Sequence, residues 1–356
     1  MELGVWLGAK LTFPEAAAFL ARCTGTRLSP ATLRRAAIAS GEAVRALEAM
    51  QRGAISAGTA PSPPVPAELL QISVDGSMLP VVGGEWREAR LAAIGVVTPD
   101  PRDPRTVRTT QLSYAGTFGP AETFRQEALG EVVGRGVDQA PRVVAVSDGA
   151  PWIQSFLDLH CPQAVRILDF AHAVDSLAAA AQASFGPGTA ATSEWIATWR
   201  HELRHGEADR VLTALAALPE SPEREAALRY LGERRPMLAY PAFVAAGYPI
   251  GSGCVESAHT TVLQARLKRG GMHWHPAVLP AMIALRVVLA NERWDEVWPQ
   301  LAPQRRQQQQ ARHAARRQVR RRPPTRPKLV QHGKPTADHP WRRPFLRRPS
   351  AAATKM

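Results

Sequence analysis

The order of strand-like and helix-like segments between Leu70 and Leu168 constrains this chain more than any other feature. Leu70 to Val74, Arg90 to Val97 and Val107 to Tyr114 are apolar, alternating or β-branched, as strands require. Ala121 to Val133 has helical spacing, Arg142 to Val146 is a short buried-type strand, and Trp152 to Leu157 reads as a helix. Val165 to Leu168 is a fifth strand. The order β-β-β-α-β-α-β predicts an α/β fold, a mixed five-stranded sheet with helices packed against it. From Ala171 to about Ala246 the pattern is helical throughout. Gly251-Ser252-Gly253 then introduces one further helix, predicted over Val255 to Arg269. The long helical stretch is therefore expected to be an all-helical insertion ahead of the last helix of the α/β part.

Ahead of the sheet lie short helices. Thr12-Phe13-Pro14-Glu15 is a capping box that opens a helix towards Cys23. After the turn Thr24-Gly25-Thr26, Ser29-Pro30 starts a second helix, Ala31 to Ser40, with Gly41 as the expected stop. The pair is helix-turn-helix-like, and Thr32, Arg34 and Arg35 are residue types that reach bases or phosphates. A plain helical hairpin fits the same letters. Gly58 to Pro66 is Pro-rich and reads as a linker. The expected organisation is a helical region at 1–50, a linker at 51–68, core at 69–170, insertion at 171–247, core again at 248–298 and a tail at 299–356.

Charge sharpens the picture of the tail. The 356 residues carry a net charge of +13, yet Leu301 to Met356 hold 16 Lys+Arg against one acidic residue. The first 300 residues then hold 28 basic and 30 acidic groups, a balance of −2. A near-neutral body with a cationic, largely disordered tail points to a polyanionic partner. Three scattered cysteines, Cys23, Cys161 and Cys254, make neither a disulfide framework nor a zinc pair, which suits a reducing cytosol. With no run of 18 apolar residues and no signal-like N-terminus, secreted and membrane classes are excluded and a cytoplasmic protein is expected.

Three carboxylates stand where elements end or begin. Asp75 follows Ile72-Ser73-Val74, Asp148 follows Val143-Val144-Ala145-Val146, and Glu256 opens the helix after the Gly-Ser-Gly segment. Singly, an Asp-Gly pair after a strand is more often a turn than a ligand, and Glu256 suits a helix N-terminus. Together they can converge on one sheet edge, where like charges need a proton or a cation between them. Magnesium suits such a place, because it takes oxygen ligands and keeps waters that a substrate phosphate replaces.

At these blocks the chain resembles the ISKra-type insertion-sequence transposases. The resemblance is carried by Ile72-Ser73-Val74-Asp75-Gly76-Ser77-Met78 with Gly83-Gly84-Glu85-Trp86, by Val146-Ser147-Asp148-Gly149-Ala150-Pro151-Trp152-Ile153, and by Tyr248 to Ser257 continuing through Arg266-Leu267-Lys268-Arg269-Gly270-Gly271 to Trp274. It covers roughly Leu70 to Trp298 and the short piece His339 to Phe345. It implies an RNase H-like core whose catalytic, metal-holding triad is Asp75, Asp148 and Glu256. It also implies two Mg²⁺ ions, for which Mn²⁺ substitutes, and action on the ends of a mobile element. Members of that family carry more sequence ahead of such a helical pair, so the resemblance implies a shortened N-terminus.

Asp169-Phe170-Ala171-His172 matches a D-x-x-H signature of transposases with a helical insertion. Asp169 and His172 are read as an accessory pair that stiffens a strand-to-helix junction or positions DNA, since a two-metal mechanism needs no general base. Lys268 and Arg269 lie about 18–20 Å along one helix from Glu256, which suits flanking DNA backbone rather than the reacting phosphate. Trp195 and Trp199, four apart, are read as core packing ahead of base stacking. The resulting expectation is a DDE transposase that cleaves and joins double-stranded DNA at element ends and target, as a homo-oligomer, in the cytoplasm on the nucleoid. Two readings stand against it: a non-catalytic DNA-binding remnant, and an RNase H-like nuclease without strand transfer.

Overall fold

The structure is a computed structural model that describes residues 1–61, 65, 67–301, 303 and 310. Nearly all of the expected basic tail, and Ser62 to Pro64 with Pro66 of the expected linker, lie outside the described residues.

The chain forms a mixed α/β fold around one five-stranded sheet. Its strands are β1 (Leu69–Pro80), β2 (Trp86–Asp100), β3 (Asp103–Phe118), β4 (Arg142–Ser147) and β5 (Val165–Leu168), in the order β3-β2-β1-β4-β5. The first three pair antiparallel, whereas β1 with β4 and β4 with β5 are parallel. Parallel neighbours need crossovers. These are α4 (Ala121–Glu127) with α5 (Leu129–Gly134), then α6 (Pro151–His160). Phe124, Val132, Ile153, Phe156 and Leu157 from them bury against Leu70, Ile72, Val74, Val143 and Ala145 on one sheet face. The single helix expected over Ala121 to Val133 is two short ones.

β1 does not end before Asp75. It continues to Pro80, so Asp75-Gly76 is not a turn: Gly76 pairs with Arg90 in the ladder. The glycine serves space instead, because a Cβ there would lie 2.0 Å from Glu88 Oε1.

The other sheet face is covered by two groups of helices. One comprises α1 (Glu2–Lys10), α2 (Phe13–Thr24), α3 (Pro30–Ser56) and α14 (Leu279–Ala290). Their buried Val5, Ala37, Val44, Met282, Ile283 and Leu285 meet Leu79, Leu91 and Ala93 of the sheet. The capping box is present: Glu15 N donates to Thr12 Oγ1 at 3.3 Å, and Thr12 N to Glu15 Oε2 at 2.9 Å. The expected stop at Gly41 is not. α3 runs through it to Ser56 and crosses the boundary expected at residue 50. Gly41 is there for closeness, since a Cβ would sit 2.0 Å from the Ala281 carbonyl oxygen of α14. Two buried arginines tie α1 to the rest. Arg266 Nε donates to Gly8 O at 2.9 Å, and one Arg286 terminal nitrogen donates to Ala9 O at 3.1 Å. These are C-terminal helix carbonyls that have no partner within their own helix. The N-terminal helices are thus built into the sheet's core.

The second group is the helical insertion: α7 (Phe170–Phe185), α8 (Ala190–His205), α9 (Ala208–Ala216), α10 (Pro222–Glu233), a 3-10 turn Arg235–Leu238 and α11 (Tyr240–Ala245). Its Leu177, Leu203, Leu215, Leu231 and Tyr240 bury against Val144, Val146, Ile167 and Leu168. Trp195 and Trp199 pack against that cluster with ring centroids 6.1 Å apart. Phe170 N donates to Ile250 O at 2.9 Å, so the chain leaves β5 and returns at one point. The helix expected after the Gly-Ser-Gly segment runs unbroken from Gly253 to Leu267 but is not α-helical throughout. It consists of α12 (Gly253–Ala258), a π-helical turn His259–Gln264 and α13 (Ala265–Leu267). Among the described residues no helix is long and apolar enough to cross a membrane.

Two helical glycines of α3 give a prediction of opposite signs. Gly53 is exposed with nothing within 4 Å of an added Cβ, so Gly53→Ala should stabilise by about 1 kcal/mol through helix propensity. Gly41→Ala gains the same propensity but must part α3 from α14, a clash worth more. It should destabilise by roughly 1–3 kcal/mol. Urea denaturation of both variants checks this, and a stabilised Gly41→Ala would refute the close-approach role.

Candidate active site

Strand register brings three aspartates to one level. Ile72 pairs with Ala145, an offset of 73 positions, which is also the separation of Asp75 from Asp148. Ser147 pairs with Leu168, an offset of 21, which is also the separation of Asp148 from Asp169. Extended by the same offsets, the register sets Asp75 level with Asp148 and Asp148 level with Asp169. Asp148 and Asp169 directly follow β4 and β5, and Asp75 lies three residues beyond the last β1–β4 pair, with the Asp148 charge bearing on it. Parallel neighbours at one level face the same side. On β1 that side carries Gln71, Ser73, Asp75 and Ser77, alternating with buried Leu70, Ile72 and Val74 on the other.

Each carboxylate is held differently. Asp75 Oδ1 accepts the Gly76 N–H at 2.7 Å. Burial pushes its carboxyl above the usual range; His259, the Gly76 N–H and His172 pull it back, and the like charge of Asp148 adds to the rise. Asp148 Oδ1 accepts from Ala150 N at 2.8 Å, an Asx-type turn at the start of α6. The insertion clamps that turn. Tyr230 Oη of α10 donates to Asp148 O at 2.8 Å, and Arg234 donates to Gly149 O at 2.9 Å. Gly149 has φ +73°, and a Cβ there would lie 2.5 Å from Arg234 Nε. Burial and the nearby Asp148 push the Tyr230 phenol up to about 12, so it stays a donor.

Asp169 is buried and caps α7, accepting His172 N at 3.0 Å on Oδ1 and Ser252 N at 2.6 Å on Oδ2. Its own N–H reaches Ser147 O at 2.8 Å. Asp169 thus stiffens the junction and anchors the Gly-Ser-Gly segment, through the backbone of His172 rather than its imidazole. The His172 side chain is exposed, and its charge bears on Asp75. Gln71 Nε2 fastens the same segment from β1, donating to Gly251 O at 3.0 Å.

Glu256 is exposed in the first turn of α12, with Oε1 3.5 Å from Ser252 Oγ. Its charge bears on His259, one turn further on, which faces Asp75. The His259 ring is buried, with Nδ1 3.6 Å from Asp75 Oδ2. Burial pushes its pKa down, Asp75 and Glu256 pull it up, and Lys268 opposes them. Lys268 caps α13 and lies 5.1 Å over the exposed Trp86 ring. Its charge bears on His259. Arg269 is paired with Glu15 of α2 at 2.7 and 3.3 Å, holding that carboxyl at about 2. Arg34 and Arg35 lie on the exposed face of α3, Arg35 within 3.3 Å of Thr32 Oγ1.

Sequence reading missed Gln71, Ser73, Tyr230, Arg234 and His259. The polar alternation Gln71, Ser73, Asp75, Ser77 inside an apolar strand was the available signal for the first two. Nothing local marks Tyr230 and Arg234, which act across 82 and 85 positions.

Among the described residues no group of three or more His, Cys, Asp or Glu is arranged to hold a metal ion by itself. The Asp75 and Asp148 pair nonetheless fits magnesium, which binds through one or two carboxylates completed by water and substrate phosphate. The donors are oxygen, and the Asp75 carboxyl is raised partly by a like charge that a cation would offset. No protein-family model matches the chain, and no curated protein is significantly similar to it.

The raised Asp75 carboxyl has a stability consequence. Its folded pKa lies above its unfolded one, so the folded state binds more protons between them and stability falls as pH rises through that window. Asp75→Asn should therefore melt higher than the wild type at neutral pH, with the difference vanishing below the ordinary value of 3.8. Melting temperatures across pH check this; an Asn variant less stable at pH 7 would show that the charge is compensated.

Proposed function

We propose that this chain is a DDE transposase of the ISKra type, catalysing Mg²⁺-dependent cleavage and strand transfer at the ends of an insertion sequence. The observation that carries the reading is the placement of Asp75 beside Asp148 by the parallel register of β1 and β4, with the charges of Asp75 and Glu256 both bearing on His259. The five-stranded mixed sheet, interrupted by a helical insertion that returns ahead of the Glu256 helix, is compatible with the RNase H-like core the resemblance implies.

In this reading Asp75 and Asp148 hold the ions, and Glu256 completes the site from α12. Magnesium bound there would lower the barrier to displacement at phosphorus by stabilising the attacking and leaving oxygens. The protein's own part is placement. Gly76 N–H and His259 orient Asp75; Tyr230, Arg234 and the Ala150 N–H orient Asp148; Asp169 and Gln71 set the segment from which α12 starts. Water attacks phosphorus at the element end, leaving a 5′-phosphate and freeing a 3′-hydroxyl; that hydroxyl attacks a phosphorus of the target strand, forming the new phosphodiester and releasing the target's own 3′-hydroxyl. No covalent enzyme intermediate is needed. Lys268 beside the site and Arg34 and Arg35 on α3 would contact DNA backbone and bases, and the cationic tail would supply long-range attraction. Arg269 is assigned the Glu15 pairing instead. The partners are double-stranded DNA at both ends and target, bound by a homo-oligomer in the cytoplasm.

The test uses purified full-length protein and a supercoiled plasmid carrying the DNA that flanks its gene. Asp75→Asn, Asp148→Asn and Glu256→Gln should each lose Mg²⁺-dependent cleavage by more than a hundredfold while binding the same DNA in gel shifts, because phosphate contacts come from Lys and Arg. Cleavage without joined products would favour a nuclease. DNA binding without cleavage by the wild type would favour a non-catalytic DNA-binding protein. Any one variant cutting at the wild-type rate would remove that residue from the site.

A further inference from the structure

The geometry points to His259 as the positioning residue that holds the Asp75 carboxylate in its ion-binding orientation. The inference rests on the reading of Asp75 as a metal-holding carboxylate. His259 occupies a place that would ordinarily be apolar: Val255, Ala258, Val262 and Leu263 share the buried side of the same helix and belong to the main core. The imidazole is 7% exposed, yet its Nδ1 lies 3.6 Å from Asp75 Oδ2. Asp75 Oδ1 is taken by the Gly76 N–H at 2.7 Å. The carboxylate is thus approached on both oxygens, one from its own strand and one from α12's continuation.

Polar accounting assigns the proton. Nε2 of His259 is buried with no hydrogen-bond partner. A hydrogen on Nε2 would bury an unsatisfied donor and turn the Nδ1 lone pair towards a carboxylate. With the hydrogen on Nδ1, the N–H points towards Asp75, whose Oδ2 lies 3.6 Å away and whose backbone also bears on the ring, and Nε2 is left only as an unused acceptor. The groups that bear on it are Asp75 from β1, Glu256 on its own helix and Lys268 beyond α13.

The backbone here is built to hold that ring. His259 opens the π-helical turn His259–Gln264, a widening that often marks functional sites. Buried Arg286 of α14 pins the wide turn, donating to Val262 O at 2.9 Å and to Thr261 O. The turn that carries the ring is therefore fixed from α14 while the ring faces Asp75 on β1, which limits the freedom of that carboxylate to swing away from Asp148.

The test reads binding of Mn²⁺ alone by electron paramagnetic resonance, with no DNA and no turnover, on the full chain. Asn can place an amide nitrogen where His places Nδ1, whereas Gln places one where His has Nε2. His259→Ala and His259→Gln should weaken Mn²⁺ binding about 10–100-fold, the range for partners that orient ligating groups. His259→Asn should bind close to wild type. That rescue is what a merely structural ring would not give. Equal loss in all three variants, or wild-type binding by the Ala variant, would overturn the proposal. Thermal melts separate unfolding from loss of the ion. Failure of the wild type itself to bind Mn²⁺, or unchanged binding by Asp75→Asn, would overturn the metal reading and the positioning role with it, and is told apart because it appears without touching His259.

Discussion

Parallel pairing of β1 with β4 and of β4 with β5 is the constraint on which the candidate site depends. Alternation on β1 buries Leu70, Ile72 and Val74 with Val143 and Ala145 of β4, under α4, α5 and α6. The same alternation sends Gln71, Ser73 and Asp75 to the opposite face. A slip of one residue would exchange the two sets, taking three large apolar side chains out of the cluster under α4, α5 and α6 and setting Gln71, Ser73 and Asp75 against it, so the register is strongly specified. Burying one such apolar side chain is worth about 1.5–3 kcal/mol, and the five together outweigh any single hydrogen bond to a carboxylate at the site. Alignment of Asp75 with Asp148 and Asp169 is thus inherited from core packing. It does not rely on the carboxylates, which repel one another.

The remaining parts are fastened to that row by polar contacts across long sequence distances. Asp169 joins β5 to the segment ahead of α12, spanning 83 positions to Ser252. Tyr230 and Arg234 make the insertion a support for the Asp148 turn rather than an appendage. From the other side, Arg266 and Arg286 join the last helices to the C-terminal carbonyls of α1. Arg269 does the same at the surface through Glu15, an exposed pair whose net contribution is small. These links explain why the N-terminal helices and the sheet share one core although a Pro-rich stretch lies between them.

Much of the fold was legible in the residues. All five strands lie where alternation and β-branching put them, and the Thr12 capping box and the long helical insertion follow from local pattern. Glycine was the weak point. Gly41 looks like a helix stop and Gly76 like a turn, yet both sit inside regular elements, Gly41 because the α14 backbone comes too close for a Cβ and Gly76 beside the flexible Glu88 side chain. A missing side chain can serve a turn or a close approach, and local sequence does not distinguish them. The π-helical turn was equally hidden, since the Arg286 that donates to its Thr261 and Val262 carbonyls lies more than twenty residues away. At the site, Asp75, Asp148 and Glu256 were visible by context. His259 was not, because a lone histidine at a core-facing helical position reads as packing until the carboxylate opposite it is known.

The central claim is that Asp75 and Asp148 form one cation-binding edge, served by Glu256 from α12. Anomalous diffraction from crystals of the protein soaked in Mn²⁺ tests it most directly. The account predicts an anomalous peak between the Asp75 and Asp148 carboxylates, within about 2–2.5 Å of oxygen from each and on the α12 side of the sheet. A Mn²⁺ peak at some other cluster, with Asp75 and Asp148 left without an ion at saturating metal, would contradict it.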